Sequence, residues 1–170
     1  MLFRSYELLL RDFHQGRSYQ SVIDKLDYLQ ELGINAIELM PINEFDGNDS
    51  WGYNPSFHMA LDKEYGSPIK FKELVNECHK RGIAVIVDVV YNHATGQNSY
   101  FRMWNTSSDS YDGTPTSQNP FFQLSPVSES YLNYFNDINH ESSYVKDYME
   151  RINRFLIDEY HIDEIGRAHV

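Results

Sequence analysis

Residues 81–93 read RGIAVIVDVVYNH: a glycine, a near-continuous apolar run, then a carboxylate, an amide and an imidazole. The theme occurs once before, in LGINAIELMP at residues 32–41. Each run follows an amphipathic segment. The first extends from about Ser18 to Leu32, with Tyr19, Val22, Ile23, Leu26, Leu29 and Leu32 on one face and Gly33 as its stop. The second opens at Ser67-Pro68, with proline in the first turn, carries Phe71, Leu74, Val75 and Cys78, and ends at Gly82. Apolar runs placed directly after helices suit parallel strands covered on both faces. YELLLRDF at residues 6–13 supplies an earlier strand, so the order is strand, helix, strand, helix, strand.

Beyond the third strand, residues 94–141 are rich in Ser, Asn, Asp, Gly, Pro and Tyr and have little periodicity. Structureless loops of this length are uncommon inside compact domains, so a functional insertion is expected. Helical spacing resumes at 142–163, with Ser142 or Ser143 as cap, a helix to Tyr160, and a fourth strand starting at His161-Ile162-Asp163. The ending Glu164-Ile165-Gly166-Arg167-Ala168-His169-Val170 lacks the composition of a buried strand, and none is expected there. Two parallel architectures fit, a doubly wound sheet and a (β/α)8 barrel. No Gly-rich phosphate turn follows any strand, which favours the barrel. Reactive groups of a barrel sit at the C-terminal ends of its strands, where Asp88, Asn92 and His93 fall.

The chain has 170 residues, 41% of them hydrophobic, enough for one domain with a core. A net charge of −11 argues against nucleic acid or an anionic membrane as partner, because phosphate contacts need clustered Lys and Arg. No run of about 18 apolar residues suggests a membrane span. The single cysteine, Cys78, excludes an internal disulfide and reads as a packed thiol.

Asp88, at the end of an apolar strand, has two readings. It anchors the loop backbone, with His93 as a strand cap, or the two belong to a site. Trp51, Tyr53, Phe57 and Tyr65 lie in SWGYNPSFHMALDKEYG, residues 50–66, among Gly and Pro, where a core role is harder to argue than on a helix face. Aromatic faces beside hydrogen-bonding groups suit a sugar, whose CH faces stack while its hydroxyls pair. For Tyr53, packing against the barrel rim is the alternative.

YELLLRDF, GINAIELMPI, SWGYNPSFHMALDKEYG, GIAVIVDVVYNH and EYHID together resemble the α-amylase family of glycoside hydrolases, from Tyr6 to Asp163. The resemblance implies a (β/α)8 TIM barrel, here its first three β/α units and the start of a fourth strand at residues 6–93 and 142–163. It also implies a domain-B-like insertion at 94–141 and retaining hydrolysis of α-glucosidic bonds in starch- or glycogen-type glucans. By the same resemblance Asp88 organises the site, His93 hydrogen-bonds the sugar at the cleavage position, Tyr53 stacks on it, and Trp51 joins them as a substrate-binding aromatic. Asn92 matches a position that binds calcium in many members, and Asp109, Asp112 and Asp137 of the insertion are further candidates. An α-glucan is thus the expected partner, and calcium is a candidate cofactor. A debranching or branching enzyme is the nearest alternative to an α-amylase, and a non-catalytic carbohydrate-binding fragment the alternative class. The sequence does not fix the compartment; secretion would follow only from the size of polymeric starch.

After EYHID the family pattern continues to a nucleophilic aspartate five residues past Asp163, whereas this chain has none there, and the acid/base Glu and a third Asp belong to later strands. A retaining mechanism takes two carboxyl groups about 5 Å apart. The expectation is therefore no turnover and, with three strands and a stub leaving sheet edges open, poor solubility. IGRAHV is what ATC GGA AGA GCA CAC GTC encodes, within the sequencing-library adapter AGATCGGAAGAGCACACGTC. The reverse complement CTCTTCCGATCT encodes Leu-Phe-Arg-Ser, the residues at 2–5. Residues 1–5 and 164–170 are accordingly expected to be adapter-derived, with Glu164 as the junction codon.

Overall fold

The computed structural model describes residues 4–107, 113–124 and 135–167. Four parallel strands form one sheet: β1 (Ser5–Leu8), β2 (Ala36–Leu39), β5 (Ala84–Val89) and β8 (Glu164–Arg167), paired in that order. Their order in space follows the chain, as around a barrel, and does not reverse as in a doubly wound sheet. Between β2 and β5 lies an antiparallel hairpin, β3 (Asn43–Phe45) with β4 (Pro55–Leu61). A short pair, β6 (His93–Ala94) with β7 (Asn136–Asp137), closes the base of the insertion.

The helices are α1 (Leu10–Phe13), α2 (Tyr19–Ile23), α3 (Leu26–Glu31), α4 (Pro68–Lys80), α5 (Ser99–Met103) and α6 (Ser143–Tyr160). Helix α4 starts as read, with Pro68 in the first turn and the Ser67 hydroxyl accepting the Lys70 N–H at 3.2 Å. Four expectations about these elements need correction. The Ser18–Leu32 helix is two pieces, because the chain tightens at Asp24-Lys25, where the Lys25 N–H bonds Val22 three residues back. Strand β1 stops at Leu8 because β2 departs after Met40 takes the Leu8 carbonyl, and Leu10–Phe13 becomes one helical turn. Ser142 precedes α6 but makes no side-chain cap. The fourth correction is β8.

Glu164–Arg167 does form a strand, with Ile86, Val87, Asp88 and Val89 opposite its four residues. Its composition is poor for burial, but ladder hydrogen bonds belong to the backbone, and β5 offers an edge. Asp163 sets the register: its N–H bonds the Val85 carbonyl at 2.9 Å, and its carboxylate accepts the Val85 N–H at 2.8 Å and pairs with His79.

Alternation of side chains divides the sheet. Leu8, Ile37, Leu39, Val85, Val87 and Val89 point to the helices and join one core with Tyr19, Leu26, Phe71, Leu74 and Ile152. The opposite face carries Glu7, Glu38, Ile86, Asp88 and Glu164. The expectation of apolar cover on both faces therefore holds for one face only. Burial, and then the neighbouring carboxylates of Glu7, Asp88 and Glu164, raise the pKa of Glu38 above its ordinary value.

Two asparagines tie together described segments of the insertion. The Asn98 side chain caps α5 by accepting from Tyr100 and Phe101, and Asn119 bonds the Tyr100 and Trp104 carbonyls while accepting from Phe121 and Phe122. Tyr100 then stacks on Phe121 with ring centroids 4.0 Å apart.

Candidate active site at the strand ends

Asp88 is the penultimate residue of β5 and is 6% exposed. The Tyr53 hydroxyl, from the loop joining β3 to β4, donates to Asp88 Oδ2 at 3.0 Å. Burial, and then the adjacent Asp88 charge, push the Tyr53 pKa well up, so the phenol stays protonated and remains a donor. His93 completes the group: its Nε2 donates to the Tyr53 carbonyl at 2.7 Å, because a carbonyl can only accept. Tyr53 is thereby held at both ends, by side chain and by backbone.

That bond fixes the His93 tautomer. Nδ1 is left as the acceptor nitrogen, buried and without a hydrogen-bond partner among the described residues. The ring lies flat on Phe135, with centroids 4.6 Å apart and planes 10° apart. Burial lowers the His93 pKa, so the imidazole is neutral near pH 7.

The loop needs glycine at one point. Gly52 has φ +90°, and a Cβ there would stand 2.4 Å from the Pro41 carbonyl oxygen. Around this pivot the Ser50 hydroxyl accepts the Gly52 N–H at 3.0 Å and bonds the Asn54 side chain, whose amide reaches the Asp46 carbonyl at 2.9 Å. Trp51, beside the pivot, is 58% exposed. Tyr65 is different: it is buried against Tyr19 and Phe45 and belongs to the core, contrary to the reading of its neighbourhood. The structure thus joins Tyr53, Asp88 and His93 directly and places Trp51 on the same loop.

Asn92 is half-buried, and its carbonyl accepts the Ile138 N–H at 2.9 Å. Asp137 lies opposite His93 in the β6–β7 pair, whereas Asp109 and Asp112 fall outside the described residues. Among the described residues no group of three or more His, Cys, Asp or Glu side chains could hold a metal ion. Calcium takes six to eight oxygens, and two of the candidate donors, Asp109 and Asp112, are among the residues not described. No chemistry is assigned to a metal here.

His58 was not singled out by its sequence. It is buried on β4, its Nε2 bonds the Val90 carbonyl at 3.0 Å, and its ring meets Tyr91 and Tyr148. This fixes the backbone between Asp88 and Asn92. Burial lowers its pKa to about 4, so it is a neutral donor. The signal available was the alternation in PSFHMAL, which puts Ser56 and His58 on one face.

A parallel α/β sheet with its polar groups gathered at the carboxyl ends of the strands defines a barrel-type enzyme scaffold. The chain belongs to the alpha-amylase family: residues 15–165 match the family's catalytic domain. It is 48% identical over 95 residues to malto-oligosyltrehalose trehalohydrolase of Saccharolobus solfataricus, covering 56% of this chain and 17% of that one. It is 32% identical to the chloroplastic isoamylase SU1 of Zea mays, over 93% of this chain and 23% of that one. A candidate alpha-amylase of Salmonella typhimurium superimposes with a TM-score of 0.80 at 27% identity, covering 97% of this chain and 25% of that one. The chain spans a quarter or less of each of these relatives. No helix among the described residues is long and apolar enough to cross a membrane.

Proposed function

We propose that the chain is the substrate-binding part of a glycoside hydrolase acting on α-glucosidic bonds of starch- or glycogen-type glucans. The observation that carries this reading is the unit of Tyr53, Asp88 and His93 at the strand ends of an alpha-amylase family member. In this reading Trp51 and the Tyr53 ring supply apolar faces for the CH side of a glucosyl unit. Asp88, kept in place by the Tyr53 hydroxyl, organises the polar side, with neutral His93 beside it as the sugar-bonding imidazole that the family resemblance implies. Retaining hydrolysis takes a nucleophile and an acid about 5 Å apart, and neither role is assigned to a residue of this chain. The 170-residue chain is therefore proposed to bind α-glucans without cleaving them.

Two assays test this. Maltoheptaose should bind the purified chain and quench Trp51 fluorescence, with cellohexaose much weaker. Soluble starch should release no reducing sugar, and measurable release would overturn the non-catalytic part of the proposal. A second reading of the parent activity, that of a debranching enzyme or a trehalohydrolase instead of an α-amylase, is supported by the 48% identity to a malto-oligosyltrehalose trehalohydrolase over 56% of this chain and the 32% identity to an isoamylase over 93% of it. Calcium at Asn92 remains a proposal from family resemblance, tested by adding calcium or a chelator during the maltoheptaose titration.

A further inference from the structure

The insertion returns to the barrel at residues 135–139, and the return is fixed on two sides. Antiparallel pairing sets His93 opposite Asp137 and Ala94 opposite Asn136, and the Ile138 N–H donates to the Asn92 carbonyl at 2.9 Å. On the other side, the Gln123 N–H donates to the Asp137 carbonyl at 2.9 Å. In such a ladder the residue two places from the direct partner is a diagonal neighbour on the same face, within reach of an aromatic side chain. For His93 that residue is Phe135. The pairing register is why a ring from the far end of the insertion comes to lie on the imidazole.

The contact is a flat stack, with centroids 4.6 Å apart and planes 10° apart, inside the range for offset aromatic pairs. It supplies a constraint that the hydrogen bond lacks. His93 Nε2 is tied to the Tyr53 carbonyl at 2.7 Å, and a ring tied at one edge can still swing about that bond. A flat partner on its face blocks the swing. Packing alone is a poor account of Phe135: the core aromatics Tyr19, Phe71 and Phe101 are fully buried, whereas Phe135 is half-buried and lays its face on the imidazole of the strand-end group. Contacts then run in series from Phe135 to His93, to the Tyr53 backbone, and through the Tyr53 hydroxyl to Asp88 at 3.0 Å. Side chains that form a site need their orientation locked by a supporting contact of this kind.

We propose that Phe135 is a positioning residue for the strand-end site: its ring holds the His93 imidazole in the orientation that fixes the Tyr53 loop and that an α-glucan meets. The role toward a glucan rests on the function proposed above. The role toward His93 rests on the stack alone.

The test compares Phe135→Leu, which keeps apolar bulk without a flat face, with Phe135→Tyr, which keeps the ring. Two readouts are followed in the purified, isotope-labelled chain: maltoheptaose affinity, and the two-bond proton–nitrogen NMR pattern of the His93 ring, which reports its tautomer. Both variants should keep the wild-type thermal transition, because the position is half-buried. Phe135→Leu should weaken maltoheptaose binding by about five-fold, the worth of one aromatic pair, and mix the His93 pattern away from the pure Nε2–H form. Phe135→Tyr should restore both. An unchanged His93 pattern in Phe135→Leu overturns the proposal whatever the affinity does, and a changed pattern at unchanged affinity overturns it too, because the imidazole would then serve no glucan. Loss of the thermal transition in Phe135→Leu, or failure of Phe135→Tyr to restore, would make Phe135 a structural residue. If the wild-type chain does not bind maltoheptaose, the function proposed above falls, and the His93 pattern still decides the part that rests on the stack.

Discussion

Gly52→Ala is the substitution whose outcome the geometry dictates most directly. Two costs add at this position. Left-handed φ in a residue with a Cβ costs about 1–2 kcal/mol. The new Cβ would also stand 2.4 Å from the Pro41 oxygen and 2.8 Å from the Pro41 Cβ, well under the 3.0 Å that real contacts respect. Relieving that overlap needs a backbone shift of the kind that costs about 1–3 kcal/mol. The expected destabilisation is therefore about 2–5 kcal/mol. Gly47 supplies the control within the same loop: its φ is +82°, but a Cβ there meets nothing within 4 Å. Gly47→Ala should pay only the conformational part, about 1–2 kcal/mol. Urea unfolding followed by tryptophan fluorescence measures both. Maltoheptaose affinity should fall with Gly52→Ala, because the forced shift carries Tyr53 away from Asp88, and should hold with Gly47→Ala. Equal destabilisation by the two alanines would refute the claim that the Pro41 contact fixes the loop.

Three further outcomes follow from single side chains. Tyr53→Phe keeps the ring but removes the bond to the Asp88 carboxylate, and should cost about 1.5–3 kcal/mol in urea unfolding together with weaker maltoheptaose binding; unchanged stability would show that Asp88 is held by other groups. The buried Cys78 thiol, pushed up to about 12, should resist Ellman's reagent at pH 8 in the native chain and react once urea unfolds it; a fast native reaction would contradict its burial. His58 stays neutral in the fold down to about 4 against 6.5 unfolded, so stability is full above pH 6.5 and is lost as pH falls from there toward 4, by on the order of 3 kcal/mol in total. Buried His93 acts in the same direction, whereas Asp62 and Glu38, both raised by burial, take up protons in the fold before they would when unfolded and so oppose it. His58→Gln should flatten the slope between pH 6.5 and 5, and an unchanged slope would remove His58 as its source.

The helices and the parallel strands were legible because their signals are local. Ser67-Pro68 starts α4, Gly33 and Gly82 take φ of +80° and +68° after helices, and the apolar runs at 36–39 and 84–89 become β2 and β5. What failed was set by partners distant in the chain. Strand β8 exists because β5 offers an edge and Asp163 pins the register. Gly166 also fits where a side chain would press on Glu38, whose Oε1 lies 3.1 Å from a Cβ built there. None of this shows in the composition of EIGR. The site was partly legible: Asp88 and His93 end an apolar run, and Tyr53 stands among turn residues. The bonds that join them span 35 and 40 residues, which no local pattern reveals. His58 stayed hidden because one imidazole on a strand reads the same whether it packs, binds or positions a neighbour.

One face of the sheet explains why the site lies where it does. Glu7 stands directly opposite Glu38 in the β1–β2 ladder, and Glu164 stands opposite Ile86, so like charges line the side away from the helices. Directly opposed like charges destabilise a sheet, and Glu38 responds with a raised pKa. At the strand end Tyr53 gives Asp88 a hydroxyl donor, and Gly166 sits opposite it in the β5–β8 ladder. Asp62, also buried, accepts from the backbone amides of Phe45 and Glu64. Asp88 accepts from a side chain on the loop that also presents an exposed tryptophan, and the binding site proposed above is built on that contact.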